Sequence, residues 1–145
     1  MVPVLSGRLQ TRLFLLAVVG SAVTALLTPW LPIDAPLPDR YRATFVILGA
    51  VAVLGVLWEL LYHLLMQFRW EKDWPSLFGL LTAVPEGVLL WSMLRLDAVP
   101  LIDAAPPLPA YVLHFGAVWL AGWLVANGPM RVPFLRWRFQ GGRLG

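Results

Sequence analysis

Hydrophobic positions in this chain form four long blocks, separated by short stretches rich in proline or charge. An α-helix needs roughly 20 apolar residues to cross a bilayer, and each block is about that long or longer. The pattern predicts four transmembrane helices, at about residues 9–29, 41–68, 75–96 and 110–126. The second block exceeds one crossing, so that helix can tilt or project from the bilayer.

Prolines and turn residues mark the ends of these helices. Residues 29–38 and 97–109 each contain several prolines, which remove amide donors and predict two extended connectors. The charged segment 69–74 is short enough to turn the second helix directly into the third. Pro85 lies inside the third block and predicts a kink there. The segment 127–129, Asn-Gly-Pro, terminates the fourth helix.

Composition indicates that these helices belong to an integral membrane protein. Of 145 residues, 59% are hydrophobic and only 13% are charged, which is too little charge to cover a globular surface. We therefore predict an all-α integral membrane protein, with a compact antiparallel four-helix bundle in residues 1–129 and a tail in residues 130–145. The absence of cysteine excludes disulfides and thiolate metal sites.

The distribution of basic residues predicts the orientation. Eight lie on the side of the two termini and three on the other side, so both termini are expected in the cytoplasm, with short proline-rich loops outside. A composition rich in Leu, Ala, Arg and Trp is typical of a GC-rich bacterial genome and predicts the bacterial cytoplasmic (inner) membrane. The eight residues are Arg8, Arg12, Arg69, Lys72, Arg131, Arg136, Arg138 and Arg143; the three are Arg40, Arg42 and Arg95.

Ionisable residues inside the apolar blocks are the candidates for chemistry. Glu59 and Glu86 lie thirteen and fourteen residues from Lys72, which places both about 20 Å from the turn and predicts that they are neighbours. Two such carboxyls do not both stay ionised, so one is expected to keep a proton. The pair then either locks two helices together or relays protons or a cation. His63 lies one turn from Glu59 and is a candidate relay on the cytoplasmic side.

Helical phasing at 100° per residue assigns an inner and an outer face to each helix. Small residues mark the inner faces, because close approach holds helices together in lipid. In the first helix that face includes Ser21, Thr24 and Thr28. In the fourth helix it includes His114, whereas Trp119 and Trp123 point the other way and are predicted to face lipid or a partner helix.

The tail is basic and aromatic, and it is the second candidate for docking a partner. Its apolar and basic residues alternate near period two over residues 134–139. As a strand it could add to the sheet edge of a partner, and as an irregular segment it could lie among anionic headgroups. The alternative is an ordinary basic flank that fixes the topology. The candidates for docking are Trp119, Trp123, Arg131, Phe134, Arg136, Trp137, Arg138 and Phe139.

Motif searches favour a protein without catalysis. The sequence contains no Walker loop, nucleophile elbow, zinc-protease motif or dinucleotide fingerprint, so we predict no cofactor, no metal and no catalytic residue. Membrane lipids and other protein subunits, in a hetero-complex or a homo-oligomer, are the expected partners, with no nucleic acid and no evident small-molecule substrate. The leading hypothesis is a non-catalytic membrane subunit that anchors or scaffolds a larger complex. The alternative is a small proton or cation transporter that uses Glu59 and Glu86 with His63; an enzyme acting on lipid or quinone is the third hypothesis.

Overall fold

The computed structural model describes residues 4–68, 76–139, 143 and 144, and every regular element within them is a helix. Four helices are long and apolar enough to cross a membrane: α1 (Leu5–Trp30), α2 (Leu37–Gln67), α3 (Ser76–Arg95) and α4 (Leu108–Arg131). A short helix, α5 (Leu135–Phe139), follows. The prediction of an all-helical chain with four such helices is confirmed. The turn predicted at residues 69–74 lies outside the described residues.

Helix α1 is not regular along its length. Its α-helical parts, Leu5–Leu15 and Ser21–Leu27, are joined by a π-helical turn at Leu16–Gly20, and a 3₁₀ turn at Thr28–Trp30 ends it. It begins at Leu5 rather than at about residue 9, so Arg8 lies inside the helix. This earlier start brings a second arginine to the first turns of α1.

The connectors are shorter than predicted. Helices α2 and α4 begin at Leu37 and Leu108, because Pro38 and Pro109 occupy their first turns, where a missing amide donor costs nothing. Helix α3 ends as Asp97 adopts a left-handed conformation with φ 53°.

Helix α3 is interrupted at Thr82, which separates Ser76–Leu81 from Ala83–Arg95. The interruption lies one turn before Pro85, which has no amide hydrogen to donate to the carbonyl four residues earlier. The break therefore falls where the proline removes a hydrogen bond, close to the predicted kink. Thr82 Oγ1 donates to the Gly79 carbonyl at 3.0 Å across the interruption.

A buried apolar cluster joins α2, α3 and α4, and α1 packs alongside. The first turn of α1 contacts the end of α2, where Arg8 Nη1 lies 2.7 Å from Met66 Sδ. The end of α1 contacts the start of α2, where the Thr28 and Thr44 hydroxyls are 2.9 Å apart. The buried cluster consists of Ile47, Val51, Leu90, Leu94, Val99, Tyr111 and Phe115.

Candidate functional site

Four ionisable side chains form one cluster between α1, α2 and α3. Arg8 and Arg12 are four residues apart in α1, so both lie on the same side of the helix. Arg8 Nε donates to Glu59 Oε2 at 2.6 Å, and Arg12 Nη1 donates to Glu59 Oε1 at 2.9 Å. Arg12 also reaches Glu86 in α3, with Nη1 3.2 Å from Oε1 and Nη2 paired with Oε2. Arg12 therefore links the two carboxylates.

Among the residues that the structure describes, the charges in this cluster balance, two against two. Both glutamates are buried, with exposed fractions of 8% for Glu59 and 4% for Glu86. Tyr62 donates a further hydrogen bond to Glu86 Oε1 at 3.0 Å. Burial of a charge is costly unless the charge is paired and hydrogen-bonded, and the cluster meets both conditions.

The two arginines are the members of this cluster that the sequence analysis did not single out as candidates. We had expected two neighbouring carboxyls with one retained proton, and had treated Arg8 and Arg12 as flanking residues that set topology. In the structure both side chains are nearly buried, about one-tenth exposed, and supply the charges that compensate Glu59 and Glu86. The available signal was the pair of arginines at i, i+4 at the edge of an apolar block.

His63 lies apart from this cluster. Its ring is half-buried, and its Nε2 atom lies 3.4 Å from the side-chain nitrogen of Gln67, one turn further along α2. Its Nδ1 atom is buried without a hydrogen-bond partner among the residues that the structure describes. Among the described residues, no hydrogen bond connects it to Glu59 or Glu86.

A cavity of about 340 Å³ adjoins the ion cluster. It is partly open and lies between all four long helices, bordered by the first turns of α1 and α3 and the last turns of α4. Its walls are mainly apolar. The charged wall consists of Arg8, Arg12 and Glu59, and indole rings of α4 and α5 form much of the remainder.

Trp119 and Trp123 belong to this cavity, not to an outward face. Trp119 Nε1 donates to the Gly79 carbonyl at 3.0 Å, and Trp123 Nε1 donates to the Ser76 carbonyl at 2.8 Å. The Arg12 guanidinium carbon also lies 5.2 Å from the centre of the Trp119 ring, at cation–π distance. The sequence predicts that these two residues face lipid or a partner helix, whereas in the structure both indoles contact α3 of the same chain.

The chemistry that these residues offer is ion pairing, hydrogen bonding and apolar binding. The part of the chain that the structure describes contains no group of three His, Asp or Glu side chains able to hold a metal ion. No protein-family model, curated protein or solved structure matches the chain. A function for the chain is therefore argued from the geometry and chemistry of its own residues.

The tail folds back on α1. Trp137 Nε1 donates to Thr11 Oγ1 at 2.6 Å, and the Phe134 ring meets Phe14 edge-on at 5.6 Å between centroids. Residues 135–139 form the helix α5, so the strand alternative is wrong. Trp137 also lines the cavity.

The other proposed docking residues of the tail differ in their surroundings. Arg131 is exposed and donates to Asn127 Oδ1 at 3.1 Å, and Phe139 is 63% exposed. The side chains of Arg136 and Arg138 lie outside the described part of the structure. Arg131 and Phe139 thus remain at the surface, whereas Phe134 and Trp137 contact α1.

A second polar network lies toward the opposite ends of α1 and α2. Thr24 Oγ1 is 2.9 Å from His114 Nε2, and both residues are fully buried. Thr28 and Thr44 form the neighbouring link between α1 and α2. Polar contacts thus connect the helices at both ends of the bundle, and the cavity described above lies at the end with Arg8.

Proposed function

We propose that the protein is a non-catalytic integral membrane subunit that anchors or scaffolds a larger complex through its helices and tail. In this proposal the four helices form an antiparallel bundle in the bacterial inner membrane, with both termini in the cytoplasm. Contact between the start of α1 and the end of α2 supports the antiparallel arrangement. The eight-to-three distribution of basic residues supports the orientation. Lipids and other protein subunits are the proposed partners.

The balanced ion cluster is the observation that carries this proposal. An arginine side chain stays protonated in proteins, so Glu59 and Glu86 both keep a permanent cationic partner. Glu86 borders a void of only about 10 Å³, which is too small for a chain of water molecules. Such a cluster favours a fixed arrangement of α1, α2 and α3 over repeated protonation of its carboxyls.

The outward side of α4 is the surface that best suits a partner helix. Val112, Leu113 and Leu120 are 55%, 55% and 48% exposed around Gly116. A Cβ atom added to Gly116 would meet nothing within 4 Å among the described residues. Small residues allow close approach of helices in lipid, so this surface replaces Trp119 and Trp123 as the docking candidate. Arg131, at the end of α4, and Phe139, in α5, are exposed and remain docking candidates of the tail.

Substitution of Gly116 by leucine tests the scaffold proposal. We expect tagged wild-type protein, isolated in a gentle detergent, to carry a membrane protein in fixed stoichiometry, identified by quantitative mass spectrometry. Gly116→Leu is expected to lower its recovery about tenfold, the effect of losing roughly 1.4 kcal/mol of association energy. Gly49→Leu is the matched control, because Gly49 in α2 also has no atom within 4 Å of its added Cβ. A partner-free wild-type monomer would contradict the proposal, and a second, differently tagged copy identifies a homo-oligomer.

Transport of protons or a cation is the second candidate, because Glu59 lines the cavity. The permanent arginine partners argue against it, so we expect proton flux into liposomes containing the protein to equal that into empty liposomes. The same result is expected for Glu59→Gln and Glu86→Gln. Flux above background that disappears in Glu59→Gln and persists in Asp34→Asn, an exposed residue of the outer connector, would instead establish transport.

A further inference from the structure

We propose that the cavity beside Arg8 is a binding site for an amphipathic anion, a single apolar chain with a carboxylate or phosphate head. The head contacts the Arg8 guanidinium, and the chain lies along the indole rings. This inference concerns a ligand site and does not depend on a role as a complex subunit.

The dimensions of the cavity suit a small ligand. Its volume of about 340 Å³ lies at the lower end of the range for ligand pockets, roughly 300–1,000 Å³. Pockets of this kind are mainly apolar, with a few polar groups that fix the orientation of the ligand, and clefts between bundle helices are a common place for them.

The aromatic wall requires an apolar body. Trp119, Trp123 and Trp137 all line the cavity, and each indole N–H already donates to an acceptor of the protein. The rings therefore offer their apolar surfaces and no unused donor. Gly122 adds open space, because a Cβ placed there meets nothing within 4 Å among the described residues.

The charged wall selects an anion. Its described part contains two guanidinium groups and one carboxylate, since Glu86 is not among the described lining residues. A cationic head in this cavity would lie beside Arg8 and Arg12, which repel it. An anionic head gains from both and, among the described lining residues, is opposed by Glu59.

Arg8 is the residue that can exchange a contact for the ligand. Its Nε atom holds Glu59, but its Nη1 atom lies against the thioether sulfur of Met66, at 2.7 Å. A thioether is a weak acceptor, whereas a carboxylate or phosphate oxygen forms a short charge-assisted hydrogen bond with a guanidinium. Arg12, by contrast, bridges Glu59 and Glu86 and must keep both contacts. The head group therefore binds at Arg8.

Binding to the full-length protein in phosphatidylcholine nanodiscs tests this site. Intrinsic tryptophan fluorescence reports the titration, with dodecanoate and dodecyl phosphate as the two anionic probes. Dodecanol and dodecyltrimethylammonium have the same chain without the anion, and inorganic phosphate has the anion without the chain. We expect saturable binding of one or both anionic amphiphiles, at least about tenfold tighter than that of the other three probes.

Two variants locate the binding. Gly122→Leu fills the cavity and is expected to weaken anion binding about tenfold or more, whereas Gly116→Leu, on the outward side of α4, leaves it unchanged. Arg8→Met is expected to weaken binding of the anions and to leave dodecanol unaffected. Equal binding of the ammonium probe, or unchanged binding in Gly122→Leu, would overturn the proposal. If inorganic phosphate bound as tightly as dodecyl phosphate, the proposal that the ligand needs an apolar chain would be overturned.

Discussion

Replacement of Arg12 by methionine is expected to destabilise the bundle by about 3–5 kcal/mol, because it removes one partner from a buried ion pair. The substitution keeps much of the side-chain volume but leaves Glu86 with Tyr62 as its remaining described donor. Glu59 keeps Arg8. The loss should appear as unfolding at a lower fraction of SDS in mixed micelles, followed by circular dichroism.

The control for this experiment is Arg42→Met, an exposed arginine in α2, which is expected to change stability by less than about 0.5 kcal/mol. A combined Arg12→Met and Glu86→Gln variant removes one charge of each sign and should recover part of the loss. Equal unfolding midpoints for Arg12→Met and Arg42→Met would show that the cluster does not hold the helices together.

Substitution of Gly55 by alanine is the second change with a large expected effect. The added methyl group would overlap with Nε and the guanidinium carbon of Arg12, whose far end is fixed by Glu59 and Glu86. The arginine cannot move aside without losing its carboxylate contacts. We expect a loss of about 1–3 kcal/mol in the same unfolding measurement, as for other overpacked positions.

Gly49→Ala is the matched control, because Gly49 lies in the same helix with open space around its added Cβ. There the change is expected to be neutral or to stabilise by up to about 1 kcal/mol, since alanine favours a helix more than glycine does. The penalty of Gly55→Ala should also shrink in the Arg12→Met background, which has no guanidinium. An equal effect at both glycines would contradict the close packing of Arg12 on α2.

Hydropathy was sufficient to predict the four long helices, because lipid requires long apolar segments that satisfy their own backbone hydrogen bonds. Counting residues from the turn also placed Glu59 and Glu86 at a similar depth, and in the structure both bind Arg12. The same count could not show that an arginine would lie between them. That required the position of a third helix.

Regular phasing failed for α1 because of its π-helical turn. At 100° per residue, Arg12 lies about 120° around the helix from Thr24, outside the predicted inner face. The π-helical turn at Leu16–Gly20 contains about one residue more than an α-helical turn. The angle between Arg12 and Thr24 around the helix is therefore reduced to roughly 20°. Arg12 and Thr24 thus both face other helices, and nothing in the apolar sequence Leu-Ala-Val-Val-Gly marks the irregularity.

The prediction for α4 failed for a different reason. It assumed one inward face, but α4 contacts α1 through His114 and α3 through Trp119. These two residues lie about 140° apart at 100° per residue, so α4 has two buried sides. Long indole side chains reach neighbours that small residues do not, and a single stripe of small residues could not reveal them.

The interruption at Thr82 has a consequence for how the bundle opens. Ser76–Leu81 is a six-residue segment, too short to be stable as an isolated helix. Its carbonyls at Ser76 and Gly79 are held by indoles of α4. Segments that are held together by such contacts tend to unfold as one unit, even when they are not adjacent in the chain. We therefore expect the beginning of α3 to open together with α4, so that a boundary between two cooperative units falls at Thr82, inside a segment that hydropathy treats as one.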